Sequence, residues 1–206
     1  EFVTYDERPK YSAGRLLLQT YALEHGLTDA EKLGIGMLQA SPWWGNASYA
    51  YSLLSEYNKK HSGDLAVLLT LAELTEQLGR FEESLAYWKA LVDLQPKNPP
   101  LLAKFAWLNF SYDRPAASML TRTNSQESEN LLLRCIALTA DTVDRYHIIL
   151  GDIYFENQKY EEAAREYLRS AELRKTHASD LHFSFELLFA KIAKDLYYSG
   201  RNEQAL

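Results

Sequence analysis

The chain has 206 residues, 47% hydrophobic and 24% charged, which suffices for a substantial core and fits an ordered globular chain. Its formal net charge is −6, and its densest basic patch (Arg165, Arg169, Arg174, Lys175) is interleaved with Glu161, Glu162, Glu166 and Glu172, so a phosphate-binding surface and a nucleic-acid partner are excluded. The single cysteine, Cys135 in the apolar run LLLRCIAL, allows no internal disulfide, and no apolar stretch approaches bilayer-spanning length, so no direct membrane insertion is expected.

Residues 11–25 read as a helix stopped by Gly26. Thr28 and Glu31 then make a capping box for a helix running to about Ala40. Pro42-Trp43-Trp44-Gly45 breaks the pattern. Its two tryptophans either contact a partner or seal the end of the N-terminal helices. Asn46–Lys60 reads as a further amphipathic helix. Residues 28–40 can pair with 46–60 as a divergent hairpin, leaving 11–25 as a packing helix; pairing 11–25 with 28–40 is also compatible with the pattern.

From Leu65 the periodicity sharpens. Leu68, Leu71 and Ala72 share one helical stripe, and Gly79 follows where a left-handed helix stop favours glycine. Phe81 opens a second helix whose apolar face continues through Ser84, Trp88 and Leu91, and Pro96 ends it. Ala72 and Ser84 fall where the two helices should cross; larger side chains there would push them apart. Next, PPLLAKFAWLNF places Phe105-Ala106 in the register of Leu71-Ala72. Residues 112–125 are expected to form an inserted loop before a helix at Gln126–Thr139. The stretch from Asp144 repeats the scheme, with Leu150-Gly151 for Leu71-Ala72, Tyr160 for Phe81, Ala163 for Ser84 and Tyr167 for Trp88. Ile192-Ala193 stands in the same register near the end of the chain. The crossing residues Ala72, Ala106, Gly151 and Ala193 are 34, 45 and 42 residues apart, so the last two units carry insertions of 11 and 8 residues.

The segments LAVLLTLAELTEQLGRFEESLAYWKALVDLQPKN (65–98) and DRYHIILGDIYFENQKYEEAAREYLRSAELRK (144–175) resemble the tetratricopeptide repeat, a helix–turn–helix unit of about 34 residues. The resemblance implies an all-α fold, a right-handed α-solenoid of stacked antiparallel helix hairpins that forms a superhelix. It divides the chain into divergent N-terminal helices at 1–64, repeats at 65–98 and 144–177, a repeat with an inserted loop at 99–143, and the start of another at 178–206, as in a fragment of a longer repeat protein. Two positions depart from the family pattern. Leu91 stands where a small residue is preferred, which Ser170 satisfies, and Lys175 replaces the closing proline represented by Pro96.

In that family the first helices of successive repeats line a groove that binds other proteins. The resemblance therefore implies a non-catalytic protein–protein interaction scaffold that takes a peptide or partner domain. Carried over by register, the groove positions are Leu69, Glu73 and Glu76; Trp107 and Phe110; Ile148, Asp152 and Phe155; and Lys194 and Tyr197. Trp43 and Trp44 would add accessory contacts if they face a partner rather than seal the N-terminal helices. The rings of Trp107, Phe110, Phe155 and Tyr197 either form an aromatic line along the groove or fill space between repeats. Chaperone-binding members clamp a C-terminal carboxylate with Lys, Arg and Asn. The matching places here hold Leu69, Glu73, Ala103, Trp107, Ile148 and Asp152, so no binding to the acidic C-termini of Hsp70 or Hsp90 is expected. Two rival readings remain: a structural segment that self-associates through open solenoid ends, and the regulatory helices of an enzyme whose catalytic domain lies outside this chain.

Chemistry-bearing motifs are missing from the sequence. His25, His61, His147, His177 and His182 lack metal-ligand spacing and read as surface or cap residues, so neither a metal nor a cofactor is expected. Gly34-Ile35-Gly36 lies in a helical pattern with no preceding strand and is not a phosphate loop. Glu82-Glu83 and Glu161-Glu162 open second helices, where acids complement the helix dipole rather than form a catalytic dyad.

Overall fold

The computed structural model describes residues 24–41, 45–112 and 123–176, with the single positions 17, 20, 21, 193, 194 and 197. All regular structure among them is helical. Eight helices are bounded: α1 Asp29–Gln39, α2 Ala47–Lys60, α3 Leu65–Gln77, α4 Phe81–Leu94, α5 Pro99–Tyr112, α6 Thr123–Leu138, α7 Asp144–Glu156 and α8 Tyr160–Thr176. Two compact units comprise Glu1–Leu91 and Val92–Leu206.

In the first unit α1 packs on α2, α2 on α3, and α1 touches α3. Ala50, Leu54, Val67, Leu71 and Leu74 form a buried cluster, with Leu33, Tyr51, Tyr57 and Tyr87 packed around it. Helix ends are set locally. Thr28 and Glu31 form the expected capping box, and the side chains of Asn46 and Asp64 accept backbone N–H groups at the starts of α2 and α3. At the end of α3, Gly79 takes φ +70, its N–H donates to the Glu76 carbonyl, and the Arg80 N–H donates to the Thr75 carbonyl. That pair of bonds is the Schellman stop. Ala72 and Ser84 are both fully buried, and the Ser84 hydroxyl donates to the Ala72 carbonyl at 3.3 Å.

In the second unit α5 pairs with α6 and α7 with α8, while α7 also packs on α6 and touches α5. Leu102, Phe105, Ala106, Leu132 and Cys135 are buried in the α5–α6 hairpin. The Cys135 thiol donates to the Pro99 carbonyl at 3.3 Å, and burial pushes its pKa up to about 11. In the α7–α8 hairpin, Ala163, Tyr167 and Ala171 form the core. Gly151 faces the Tyr167 ring so closely that a Cβ there would lie 2.5 Å from Cε1. The larger wedge at 167 thus requires the smallest residue at 151.

Two details differ from the sequence-based expectations, and a third position makes a turn that its residue type does not announce. Helix α6 starts at Thr123 rather than Gln126. Phe81 is about half exposed. It is the first residue of α4, and side chains lean toward a helix's N-terminus, so its ring overhangs the end instead of joining the apolar face. Gln158 occupies the place of Gly79. It has φ +62, and the same paired bonds run from Gln158 N–H to the Phe155 carbonyl and from Lys159 N–H to the Tyr154 carbonyl.

These two neighbouring positions should respond in opposite directions. Gly151→Ala should destabilise the protein by about 1–3 kcal/mol, the cost of overpacking a filled site. Gln158→Gly should stabilise it by about 1 kcal/mol, because a left-handed backbone is strained for a residue with a Cβ. Thermal midpoints should therefore rank Gln158→Gly above wild type and wild type above Gly151→Ala.

Candidate functional site

Each unit has its own candidate surface, built on the outward positions of α3 in the first and of α5 and α7 in the second. On α3, Leu69 and Glu73 are exposed. Glu76 is half-buried and accepts the Trp88 indole N–H at 2.7 Å, tying α3 to α4. On α5, Trp107 is 38% exposed, while Phe110 retains only 9%. The two rings meet tilted, with centroids 6.4 Å apart. Phe110 therefore backs the surface, and of this pair only Trp107 stands out from it.

On α7, Ile148 and Phe155 are half-buried and pack on the Ala163–Tyr167–Ala171 core. Asp152 accepts the Tyr167 hydroxyl at 2.6 Å. The Phe155 ring meets Tyr160 edge-on at 5.5 Å, and the Lys194 ammonium sits 4.9 Å from its centroid as a cation–π contact. Tyr197 is exposed. Trp43 and Trp44 lie outside the described residues. Tyr154, on the same helix, donates to Glu129 at 3.1 Å under the Lys159 ammonium; burial and that carboxylate push its pKa well up.

Among the described residues no group of three or more His, Cys, Asp or Glu could hold a metal ion. No described helix is long and apolar enough to cross a membrane.

One histidine overturns its sequence-based expectation. His147 is not a surface or cap residue: it is 4% exposed, on the buried side of α7. Its Nδ1 lies 2.8 Å from Glu166 Oε2 on α8, and its Nε2 lies 2.7 Å from Asp141 Oδ1 in the turn before α7. Asp141 has φ +59 and is held in turn by the Arg169 guanidinium, Nε at 2.9 Å and Nη2 at 2.6 Å from one carboxylate oxygen. A sequence signal existed: His147 occupies the register of Leu68, one turn before the crossing residue.

Only an imidazolium can donate to both carboxylates at once. Burial opposes that charge, but the bonds to Glu166 and Asp141 outweigh it and hold the His147 pKa above its usual 6.5. For Asp141, burial is likewise outweighed by Arg169 and His147, so its carboxyl lies below 3.8. The cluster fastens α7, α8 and the preceding turn together.

Set against known proteins, no family model matches the chain and no curated protein is similar to it. Solved structures do match. A MamA protein is 17% identical with a TM-score of 0.68 over 86% of this chain and 85% of that one. The thermophilic TPR protein TTC0263 of Thermus thermophilus is 16% identical with a TM-score of 0.55, covering 86% of each. This chain has a tetratricopeptide-repeat fold. MamA of Desulfovibrio magneticus RS-1, from its residue 41 onward, matches over 98% of this chain and 91% of its own length, at 12% identity and a TM-score of 0.59. At such identities the likeness is one of tetratricopeptide architecture, and the conformation survives almost complete exchange of side chains.

The His147 cluster gives a pH-dependent stability with a definite sign. A raised folded pKa contributes stability below the unfolded value, near 6.5, and loses it as pH rises through the folded pKa. Replacing His147 with Gln should cost about 2 kcal/mol in mildly acid solution, the scale of hydrogen bonds to charged groups, and progressively less toward alkaline pH. Urea midpoints of the two proteins at matched pH values check this; a constant difference would reduce the ring to packing alone.

Proposed function

We propose that this chain is a non-catalytic interaction scaffold that binds a protein or peptide on the outward faces of its first helices, α3 in one unit and α5 with α7 in the other. The observation that carries this reading is the Trp107 ring, 38% exposed on the outward side of α5. Large rings are costly to leave in water and bury much area on binding with few rotors to freeze. Ile148 and Phe155 add apolar surface on α7, the helix that α5 touches.

The polar groups on these faces speak for structure rather than catalysis. Glu76 and Asp152 hold the polar tips of Trp88 and Tyr167, which fixes the second helices behind the surface. The places where a carboxylate clamp needs cations hold Leu69, Glu73, Ala103, Trp107, Ile148 and Asp152 instead. This favours partners other than the acidic C-termini of Hsp70 and Hsp90.

The test is the double variant Trp107→Ala/Phe155→Ala, compared with wild type for partner capture once circular dichroism has matched their helicity. A partner held by wild type should be weakened at least tenfold, since removing a central aromatic anchor costs about 2 kcal/mol or more. Undiminished capture by the variant would move binding off this face. Mass that rises with concentration, and is unchanged in the variant, would instead support self-association.

A further inference from the structure

We propose that the crease between α1 and α3 receives a basic side chain, a lysine or arginine flanked by apolar residues in a partner peptide. This rests on the first-helix faces being the binding surface, and it assigns one of them a chemical class of partner. A cavity of about 330 Å³ lies between the two helices, lined by Met37, Ala40, Thr70, Glu73, Leu74 and Gln77, with Ser41 at its edge. Met37, Ala40 and Leu74 give this lining its apolar part, and Ser41, Thr70, Glu73 and Gln77 its polar part. The Thr70 hydroxyl is already committed, donating to the Ala66 carbonyl at 2.8 Å and lying 3.6 Å from the Met37 sulfur.

Glu73 supplies the charge. It is exposed at this cavity and makes no hydrogen bond or ion pair with any described residue. Comparison between the hairpins explains why. In the α7–α8 hairpin the residue at the same register, Asp152, is occupied by the Tyr167 hydroxyl. In α3–α4 the wedge is Trp88, whose indole N–H reaches Glu76 one turn further on. Glu73 is left with no donor among the described residues.

Three cations of the same unit are engaged elsewhere: Lys32 with Glu56 at 2.8 Å, Lys60 with Asp29 at 3.0 Å and Arg80 with Glu83 at 3.7 Å. A cavity of mixed lining that carries an unneutralised carboxylate suits a long cationic side chain, whose methylenes meet Met37 and Ala40 while the head meets the acid. Met37, exposed and part of the lining, offers the apolar contact, and thioethers adapt readily to varied shapes. The chain's net charge of −6 favours the approach of such a partner and disfavours an acidic one.

The experiment is selection of a random-peptide phage library on the full chain and, in parallel, on Glu73→Lys and Trp107→Ala. Selected sequences are then synthesised and titrated by fluorescence anisotropy. Glu73 is exposed, so its variants should fold, and circular dichroism checks this. Peptides selected by wild type should carry Lys or Arg beside apolar residues. They should weaken about tenfold or more on Glu73→Lys and less on Glu73→Gln, and added salt should weaken them more on wild type than on Glu73→Gln. Glu73→Lys should itself select acidic peptides. Peptides that lack basic residues, or that bind wild type and Glu73→Lys equally, would overturn the assignment of the crease. If those same peptides fail on Trp107→Ala, the wider scaffold reading survives that result. Absence of any enriched sequence on wild type would overturn both.

Discussion

Each hairpin of this protein depends on how closely two helices can approach where they cross. The limit is set by a small residue on the first helix and the wedge that faces it from the second. In α3–α4 the solution is Ala72 against Ser84, with Trp88 one turn later. In α7–α8 it is Gly151, whose missing side chain is filled by the ring of Tyr167. Interiors are packed to crystal-like density, so a change in wedge size has to be matched across the contact. Outward positions inherit their direction from this fit, because a helix held at one crossing has one face left for solvent.

Aromatic wedges bring polar tips into the interior, and those tips need partners. The hairpins meet that need with different acids: Glu76 for the Trp88 indole and Asp152 for the Tyr167 hydroxyl. A ring's geometry thereby decides which carboxylate on the outward face stays unengaged. His147 shows the same demand in stronger form. A buried imidazole flanked by two acids, one of them clamped by Arg169, turns the turn before α7 into a charged fastening. Outward face and internal bonding are consequently not separable in this fold, since one set of side chains belongs to both.

Much of the architecture could be read from residues alone, for physical reasons. Capping at Thr28, the stop at Gly79, the crossing pair Ala72–Ser84 and the register of Leu150-Gly151 are local rules, and local rules are written in short stretches of sequence. What escaped depended on residues far apart. His147 read as peripheral because its partners are a turn residue and a side chain on the following helix, neither visible in a helical stripe. Phe110 read as outward because register gives direction but not the depth to which neighbouring helices cover a ring. Gln158 concealed a left-handed stop, since the hydrogen-bond pair is made by backbone that carries no side-chain label. Of the positions expected to line a groove, the sequence could place residues on first helices, but the exposure of Trp107 and the commitments of Glu76 and Asp152 needed the packed hairpins.

The lone cysteine carries a consequence of its own. Thiolate is the form that alkylating agents attack, and Cys135 is kept from forming it by complete burial, by donation to the Pro99 carbonyl and by a pKa pushed to about 11. Its reactivity in the closed hairpin is therefore suppressed, and modification must wait for α5 and α6 to part. The rate at which a small electrophile labels this one sulfur is thus a clock for the breathing of the hairpin that presents Trp107, read from a reporter already built into the chain.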